Sequence, residues 1–382
     1  MKKKVQLDML ENEIEKKENR VRNLLAKLGY ESLLLTRREN FSWFTCGKRA
    51  VVSYITEDSP VYLLITPTRK YAVGFNMDVP RTMQEEICNQ GFEPVSLPTY
   101  DIDSSPVGLA KTKIEAAKDL AVGRLTTDIK LEGINGINTQ ITNAHTPFTS
   151  EEMERYREVG KEGMQILHDL ALWVKPGMTE REIVAKMWEE YVKKDFDCNC
   201  MFATADERIK KFRHGVPTYK KTEKAVLLAP AVYKYGLNIT ITRMVYFEEP
   251  PEDIRRRMDG VIALQASVVS RTKIGTRLSV ILNGIMAHFT ELGYPEERDR
   301  HFHGGPQGYR VSYPERNMDP SETVISNTAF GWYLCISGTK SEETLLVDND
   351  GTHIATFDPN YPYKEIEINN MKIKINDILV RK

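Results

Sequence analysis

The chain has 382 residues, more than one hydrophobic core usually supports, so two domains are expected. Its 53 basic and 54 acidic residues leave a net charge of −1, which gives no electrostatic reason to expect nucleic acid or an anionic membrane as a partner. No apolar run reaches the roughly 20 residues of a membrane span, and five scattered cysteines favour reduced thiols in a cytoplasm.

The first part of the chain predicts an α/β domain over residues 1–146. Residues 7–29 read as an amphipathic helix, with leucines, isoleucine and valine at helical spacing and Gly29 as its end. The opening lysines are followed by no apolar core, so we expect no secretory signal. Three runs then resemble strands, ESLLLT, AVVSYIT and PVYLLITPT, with helical stretches between the later ones.

The second domain, residues 147–382, predicts two helices followed by strands, and then the same order again. Thr179 and Glu182 have the spacing of a capping box at the start of the second helix. Two strands are expected over 225–247, two helices over 251–272 and 278–292, and strands at TVISNTAF, ETLLVDND and THIATF. A C-terminal hairpin is expected to turn at Asn369-Asn370. The repeated order suggests an internal duplication, and the fold class is α+β.

One stretch, AVLLAPAVYKYGLNITITRM at 225–244, contains no Asp or Glu in a chain that is 28% charged. With TSEEMERYREVGKEGMQILHDLALWVKPGMTEREI, the Gly-rich HFHGGPQGY and the Glu342 that precedes TLLVDNDG, it resembles the creatinase, prolidase and aminopeptidase P family. The resemblance implies a pita-bread domain preceded by a creatinase-like N-terminal domain.

Metallopeptidases of that family hold two divalent metal ions on two Asp, one His and two Glu, and a water between the ions becomes the nucleophile. Laid on this sequence, the two Asp positions fall on Ala229 and Thr240, and the His position falls on Pro306. The first Glu falls near Trp332 or Tyr333, which leaves Glu342 as the one retained ligand. The nearest other acids lie outside the paired strands. We therefore expect no metal and no other cofactor.

Polar residues still cluster where the family's pocket would lie, and creatinase itself, in the same family, hydrolyses a C–N bond without metal. His214 or His303 is the candidate proton shuttle, with Glu342 as an orienting or substrate-binding carboxylate. The candidate substrate-binding residues are Arg213, Arg243, His301, Tyr309, Lys340 and Tyr333. Lys340 also fits the vacated cation site. Structural alternatives stay open: His303 as a turn residue, and Arg243 as part of an ion pair.

Three functions follow from these features. The first is a metal-independent, creatinase-like hydrolase or lyase that acts on a C–N bond of a small polar amino-acid derivative. The second is a catalytically inactive member that keeps the pocket as a binding module, and the third is an ordinary Xaa-Pro dipeptidase or aminopeptidase. The expected partners are a small molecule or short peptide and, as the resemblance implies, a second copy in a homodimer.

Overall fold

The computed structural model describes residues 2–100, 102–319 and 321–382, with side chains from residue 11 onward. The chain divides into two compact units, unit 1 (Met1–Glu151) and unit 2 (Glu152–Lys382). Among the described residues no helix has the length and apolar character that crossing a membrane requires.

Unit 1 is a five-stranded sheet covered by helices. Its elements are α1 (Lys2–Leu28), β1 (Ser32–Arg37), α2 (Arg38–Phe44), β2 (Asp58–Ile65), β3 (Lys70–Phe75), α3 (Val79–Arg81), a π-helical turn (Thr82–Glu86), β4 (Glu93–Leu97), α4 (Pro106–Leu120), β5 (Leu125–Thr127) and α5 (Asn138–Ala144). The strand order is β4-β3-β2-β1-β5, with β1/β5 and β3/β4 parallel. Ala117 of α4 packs with Leu34 and Tyr62 of the sheet.

Two of the three strands predicted in unit 1 are confirmed as β1 and β2, whereas AVVSYIT is not a strand. This run pairs with no strand of the sheet among the described residues, and Ile55 is 98% exposed. Arg38 Nη1 instead donates to the carbonyls of Ser53 and Thr56 at 3.1 and 2.9 Å, which holds the run as a surface loop. The N-terminal helix is confirmed and ends just before Gly29, whose φ is +74°.

Unit 2 repeats a pair of helices followed by strands. Its elements are α6 (Ser150–Trp173), which starts at the end of unit 1, α7 (Glu180–Val192), β6 (Asp197–Ala205), α8 (Glu207–Lys211), β7 (Ala225–Lys234), β8 (Leu237–Thr240), β9 (Arg243–Tyr246), α9 (Glu252–Arg271), α10 (Leu278–Glu291), a 3₁₀ turn (Pro295–Asp299), β10 (Gly304–Gln307), α11 (Pro314–Asn317), β11 (Thr328–Ile336), β12 (Thr339–Asp348), β13 (Gly351–Ile354), β14 (Tyr363–Ile368), β15 (Met371–Asn376) and β16 (Leu379–Val380). The predicted alternation of helix pairs and strands is present, but the sequence analysis did not predict β6, α8, β10, α11 or β16, and TVISNTAF overlaps β11 only at its last three residues.

Two sheets and a hairpin form the β-structure of unit 2. One sheet has the order β16-β9-β7-β6, with β8 paired to β7, and the other has the order β10-β11-β12-β13. Helix α9 has twelve buried residues and packs, with α10, on apolar side chains of both sheets. Because this core is close-packed, the two sheets hold the polar side chains that they carry in fixed positions.

Local sequence signals in unit 2 are confirmed at the capping box and at the hairpin. Thr179 Oγ1 accepts from Glu182 N at 3.2 Å and Glu182 Oε2 accepts from Thr179 N at 2.7 Å. Asn369 and Asn370 both have positive φ, as a two-residue hairpin turn requires. The region 225–247 forms three strands instead of two, because the chain bends at Ile241-Thr242 and β9 returns to pair with β7.

Candidate active site without a metal-binding set

The candidate site lies where the two sheets of unit 2 meet, at the bend between β8 and β9. Thr242 N donates to the Glu342 carbonyl at 3.1 Å, and Thr240 N donates to Thr344 Oγ1 at 2.9 Å. These bonds hold the bend against β12. The part of the 225–244 stretch around Thr240 and Thr242, which contains no Asp or Glu, therefore lies next to Glu342.

Lys340 and Glu342 form a buried ion pair at this junction. Lys340 Nζ lies 2.8 Å from Glu342 Oε2, and Thr242 Oγ1 donates to the same oxygen at 2.6 Å. Burial disfavours the charged form of Lys340, but the Glu342 carboxylate outweighs it and the pKa of Lys340 is raised. Both contacts use Oε2, so Glu342 Oε1 has no hydrogen-bond partner among the described residues. The predicted proximity of Lys340 to Glu342 is confirmed.

A second buried group surrounds Gln307, which the sequence analysis missed. Gln307 Oε1 accepts from Thr240 Oγ1 at 3.2 Å, and Gln307 Nε2 donates to the Asn238 carbonyl at 2.6 Å. A Cβ added at Gly331 would lie 2.1 Å from Gln307 Oε1 and 2.9 Å from Thr240 Oγ1. The space beside Thr240 is therefore filled by a hydrogen-bonded amide.

Pro306, the residue predicted at the family's His position, and its neighbour Gln307 lie in different surroundings on β10. Pro306 lies opposite Phe330, which belongs to the hydrophobic core, and Gln307 lies opposite Ala329. Since neighbouring residues of a strand face opposite sides, the Gln307 side chain reaches Thr240 and Pro306 does not.

Trp332 and Tyr333 are neighbours on β11, so their side chains also point to opposite faces of the sheet. Trp332 is fully buried in the core and stacks on Phe330, with ring centroids 6.0 Å apart. Tyr333 lies opposite Glu342 in the β11/β12 register, and it donates from its hydroxyl to the Val311 carbonyl at 3.3 Å. Of the two positions considered for the first Glu, only Tyr333 borders the site. Ala229, the residue predicted at the first Asp position, is on β7 and lies opposite Phe202 of β6.

Two histidines lie in the electrostatic field of the Lys340–Glu342 pair. The rings of His214 and His301 are 5.2 Å apart, and His301 also lies 6.2 Å from the Tyr333 ring. Burial and the Lys340 charge lower the pKa of His214, against the opposing field of Glu342. The same two causes lower the pKa of His301 to about 4. Both imidazoles are therefore neutral at pH 7 and able to accept a proton.

His303 lies in a different environment from His214 and His301. Its Nε2 donates to the Arg298 carbonyl at 2.9 Å, and its ring packs 5.1 Å from that of Phe289. Burial lowers the pKa of His303, and the charges that act on it are those of Arg213, Asp299 and Glu297. The structure therefore does not bring His303 together with Glu342.

Three of the predicted substrate-binding residues make internal contacts. Arg243 is 3% exposed and donates to Glu343 Oε1, the Thr356 carbonyl and Asn376 Oδ1, each at 2.7 Å. Arg213 pairs with Glu297 and donates to Ser337 Oγ at 3.1 Å. Tyr309 donates from its hydroxyl to Glu152 Oε1 at 2.6 Å. The structural alternative for Arg243, an ion pair, is the arrangement observed.

The side chains at this junction do not fit the pair of divalent ions that the family resemblance implies. The positions predicted for the family's two Asp and its His carry Ala229, Thr240 and Pro306, and the carboxylate of Glu342 already pairs with an ammonium. Hard cations need several charged oxygen ligands, and Lys340 would repel them. Within the described residues there is no group of three or more His, Cys, Asp or Glu that could hold a metal ion.

Comparisons with known proteins agree with this geometry at the level of the fold. The sequence profile of metallopeptidase family M24 matches residues 154–343. No curated protein sequence matches the chain significantly.

Solved structures resemble the chain over most of its length. An Xaa-Pro dipeptidase from Bacillus anthracis is 18% identical with a TM-score of 0.71, and it covers 91% of this chain and 98% of its own. The prolidase from Pyrococcus horikoshii OT3 is 17% identical with a TM-score of 0.72, covering 90% and 98%. The N-terminal domain of the FACT complex subunit SPT16 from Cicer arietinum (chickpea) is 10% identical with a TM-score of 0.67, covering 91% and 96%.

These structural matches show the fold, and the profile match spans most of unit 2. The predicted fold class, with a pita-bread domain, is confirmed. Residues 154–343 thus match metallopeptidase family M24, and with the shared fold they support the predicted resemblance to the creatinase, prolidase and aminopeptidase P family.

Proposed function

We propose that this protein is a metal-independent hydrolase that cleaves a C–N bond in a small polar amino-acid derivative. One observation carries the proposal: Lys340 holds a buried positive charge on the retained family carboxylate, beside two neutral histidines. A fixed ammonium at this place supplies the electrostatic stabilisation that metal ions give in the family's metallopeptidases.

His214 is the proposed proton shuttle. It is exposed, its imidazole is neutral at pH 7, and it lies in the field of Lys340 and Glu342. In hydrolysis it accepts a proton from the attacking water, while Lys340 stabilises the negative charge that develops on the substrate. When the C–N bond breaks, its electron pair goes to the nitrogen, and His214 returns the proton there. The same base, removing a proton from carbon, would give the lyase reaction.

Substrate binding is assigned to the side chains that border the ion pair. We propose that Glu342 Oε1 accepts an N–H of the substrate, which would favour amino or amidino groups, because both contacts of the carboxylate use Oε2. His301 and Tyr333 form the adjacent wall. For His303, Arg213, Arg243 and Tyr309 we propose roles in holding the fold of the site, because their polar atoms contact protein groups.

The second candidate function is an inactive binding protein. Neither His214 nor His301 is hydrogen-bonded to a carboxylate among the described residues, whereas a general base is usually oriented by one. The fold also occurs in a domain of a chickpea FACT complex subunit, which is a component of a protein complex. The third candidate, Xaa-Pro dipeptidase activity, has support from the names of solved structures with this fold, but the donor set disfavours it.

The remaining expectations are part of the proposal. We propose a homodimer that acts in the cytoplasm on a small molecule or short peptide, and that binds no nucleic acid. The nearly balanced charge supports the last point.

The test is a turnover screen of the purified full chain in excess EDTA. Small amidino compounds, N-substituted amino acids and Xaa-Pro dipeptides are incubated with the protein, and released ammonia, urea or amine is quantified. We expect turnover of an amidino or amino-acid derivative that EDTA does not reduce. Turnover of Xaa-Pro dipeptides that EDTA abolishes would establish the peptidase, and no turnover with saturable binding would favour the binding protein.

A further inference from the structure

The segment that carries His214 is tied down by a buried carboxylate on a neighbouring helix. Glu180, in the first turn of α7, is fully buried. Its Oε1 accepts from Ala205 N and Arg208 Nε, both at 2.9 Å. Its Oε2 accepts from Thr218 N at 2.8 Å and from Thr218 Oγ1 at 2.7 Å. Ala205 and Thr218 flank residues 206–217 and Arg208 lies within them, so one carboxylate binds both ends of the segment that carries His214.

Other contacts show that the closed segment has little freedom. Arg208 Nη2 donates to the Val216 carbonyl at 2.8 Å, and Thr204 Oγ1 donates to the Gly215 carbonyl at 3.3 Å. A Cβ added at Gly215 would lie 2.4 Å from Thr204 Oγ1, so the chain approaches β6 closely beside His214. The backbone of the segment is therefore fixed on both sides of the histidine.

The fixed backbone places the His214 ring against Phe202 of β6. The two rings are stacked, with centroids 5.3 Å apart and planes 18° apart. While one face of the His214 ring stacks on Phe202, the ring makes an edge contact with His301. It also lies in the electrostatic field of Lys340 and Glu342. A released segment would let the exposed ring rotate away into water.

We propose that Glu180 is the positioning residue of the site, and that its four hydrogen bonds hold His214 between Phe202 and the Lys340–Glu342 pair. The inference rests on the proposed function for its catalytic meaning, since it assigns Glu180 to the proposed proton shuttle. Glu180 itself contacts no group of the Lys340–Glu342 pair. Loss of a charged acceptor of several buried donors is costly, so its effect on the segment is expected to be large.

The test is the Glu180→Gln variant of the full chain, observed by NMR of its labelled histidine imidazoles. His214 is assigned by the loss of its signal in His214→Ala. In the wild type we expect ring-current-shifted His214 signals and a pKa below 6.5. In Glu180→Gln the signals move toward those of an exposed histidine and the pKa rises toward 6.5. The charges that act on this ring, those of Lys340 and Glu342, and the neighbouring His301 imidazole are unchanged in both proteins.

Glu182→Gln is the matched control, since Glu182 lies in the same helical turn but caps Thr179 without contacting the His214 segment. It is expected to leave the His214 signals and pKa unchanged. If Glu180→Gln does not fold, Thr218→Val removes one of the four donors and gives a smaller shift in the same direction. Unchanged His214 signals and pKa in a folded Glu180→Gln protein, or in Thr218→Val where that variant replaces it, overturn the inference.

The NMR result is independent of turnover. A wild-type protein with no activity would overturn the proposed function and still report whether Glu180 positions His214. Where activity is found, Glu180→Gln is expected to lower kcat more than it raises KM and to shift the acid limb of the pH profile toward 6.5.

Discussion

Replacement of His214 by alanine is expected to lower kcat/KM for the substrate found in the EDTA screen by roughly 100- to 10,000-fold. The reason is that His214 is the exposed, neutral imidazole in the field of Lys340 and Glu342. Steady-state kinetics of wild type and variant, with thermal unfolding as a check on folding, measure the effect. The unfolding free energy is expected to change little because His214 is an exposed residue whose ring is only partly covered, by Phe202.

His303→Ala is the matched comparison for that prediction. His303 packs on Phe289 and donates to the Arg298 carbonyl, so its loss is expected to lower stability and to change kcat/KM much less than His214→Ala does. A loss of activity in His303→Ala that equals or exceeds that of His214→Ala, at unchanged stability, would move the proton shuttle to His303.

We expect kcat/KM to decrease at low pH. A base must be unprotonated, so kcat/KM is expected to fall as the pH falls through the pKa of His214, which burial and Lys340 hold below its ordinary value of 6.5. Activity is therefore expected to be full at pH 7. His301, with a pKa of about 4, remains neutral over that range. An acid limb above pH 7 would be inconsistent with His214 as the base.

Lys340→Met is expected to destabilise the protein by about 3–5 kcal/mol and to remove activity. It leaves the buried Glu342 carboxylate with Thr242 as its remaining hydrogen-bond donor. Urea unfolding followed by fluorescence measures the loss. The double variant Lys340→Met/Glu342→Leu removes both charges and is expected to recover much of the stability while remaining inactive.

Lys186→Met provides a surface control, because Lys186 pairs with Glu189 and Glu190 where all three side chains are at least 30% exposed. It is expected to leave stability nearly unchanged. A Lys340→Met protein as stable as the wild type would show that the Lys340–Glu342 pair is not the buried, coupled unit described above.

Much of the fold follows from local sequence signals. The capping box of Thr179 and Glu182 and the Asn369-Asn370 turn each rest on hydrogen bonds within a few residues, so the pattern specifies them directly. Strand β6 went unrecognised because DCNCMFATA carries polar side chains and a bulge at Cys198/Cys200. AVVSYIT has strand composition but no partner strand, and pairing is a tertiary property.

The candidate site was predictable in chemistry more than in geometry. The ion pair of Lys340 with Glu342 agrees with the sequence-based hypothesis that Lys340 occupies the vacated cation site, whereas the loss of the family's metal ligands stays a prediction. The contact of Gln307 with Thr240 depends on which face of β10 each side chain occupies, and a one-residue shift in the predicted strand would reverse that face. The hydrogen bonds from Glu180 to the His214 segment join residues up to 38 positions apart, so no local sequence pattern indicates them.

The central claim is that the protein's own Lys340 replaces metal at this site, and metal binding tests it most directly. The purified protein is analysed for metal content and titrated with Mn²⁺, Zn²⁺ and Co²⁺ while its melting temperature is recorded. Binding to the native state at a hundredfold the dissociation constant adds about 2.7 kcal/mol of stability, so a real site is readily seen. The account predicts substoichiometric metal and no rise in melting temperature; stoichiometric metal or a clear saturable rise would contradict it.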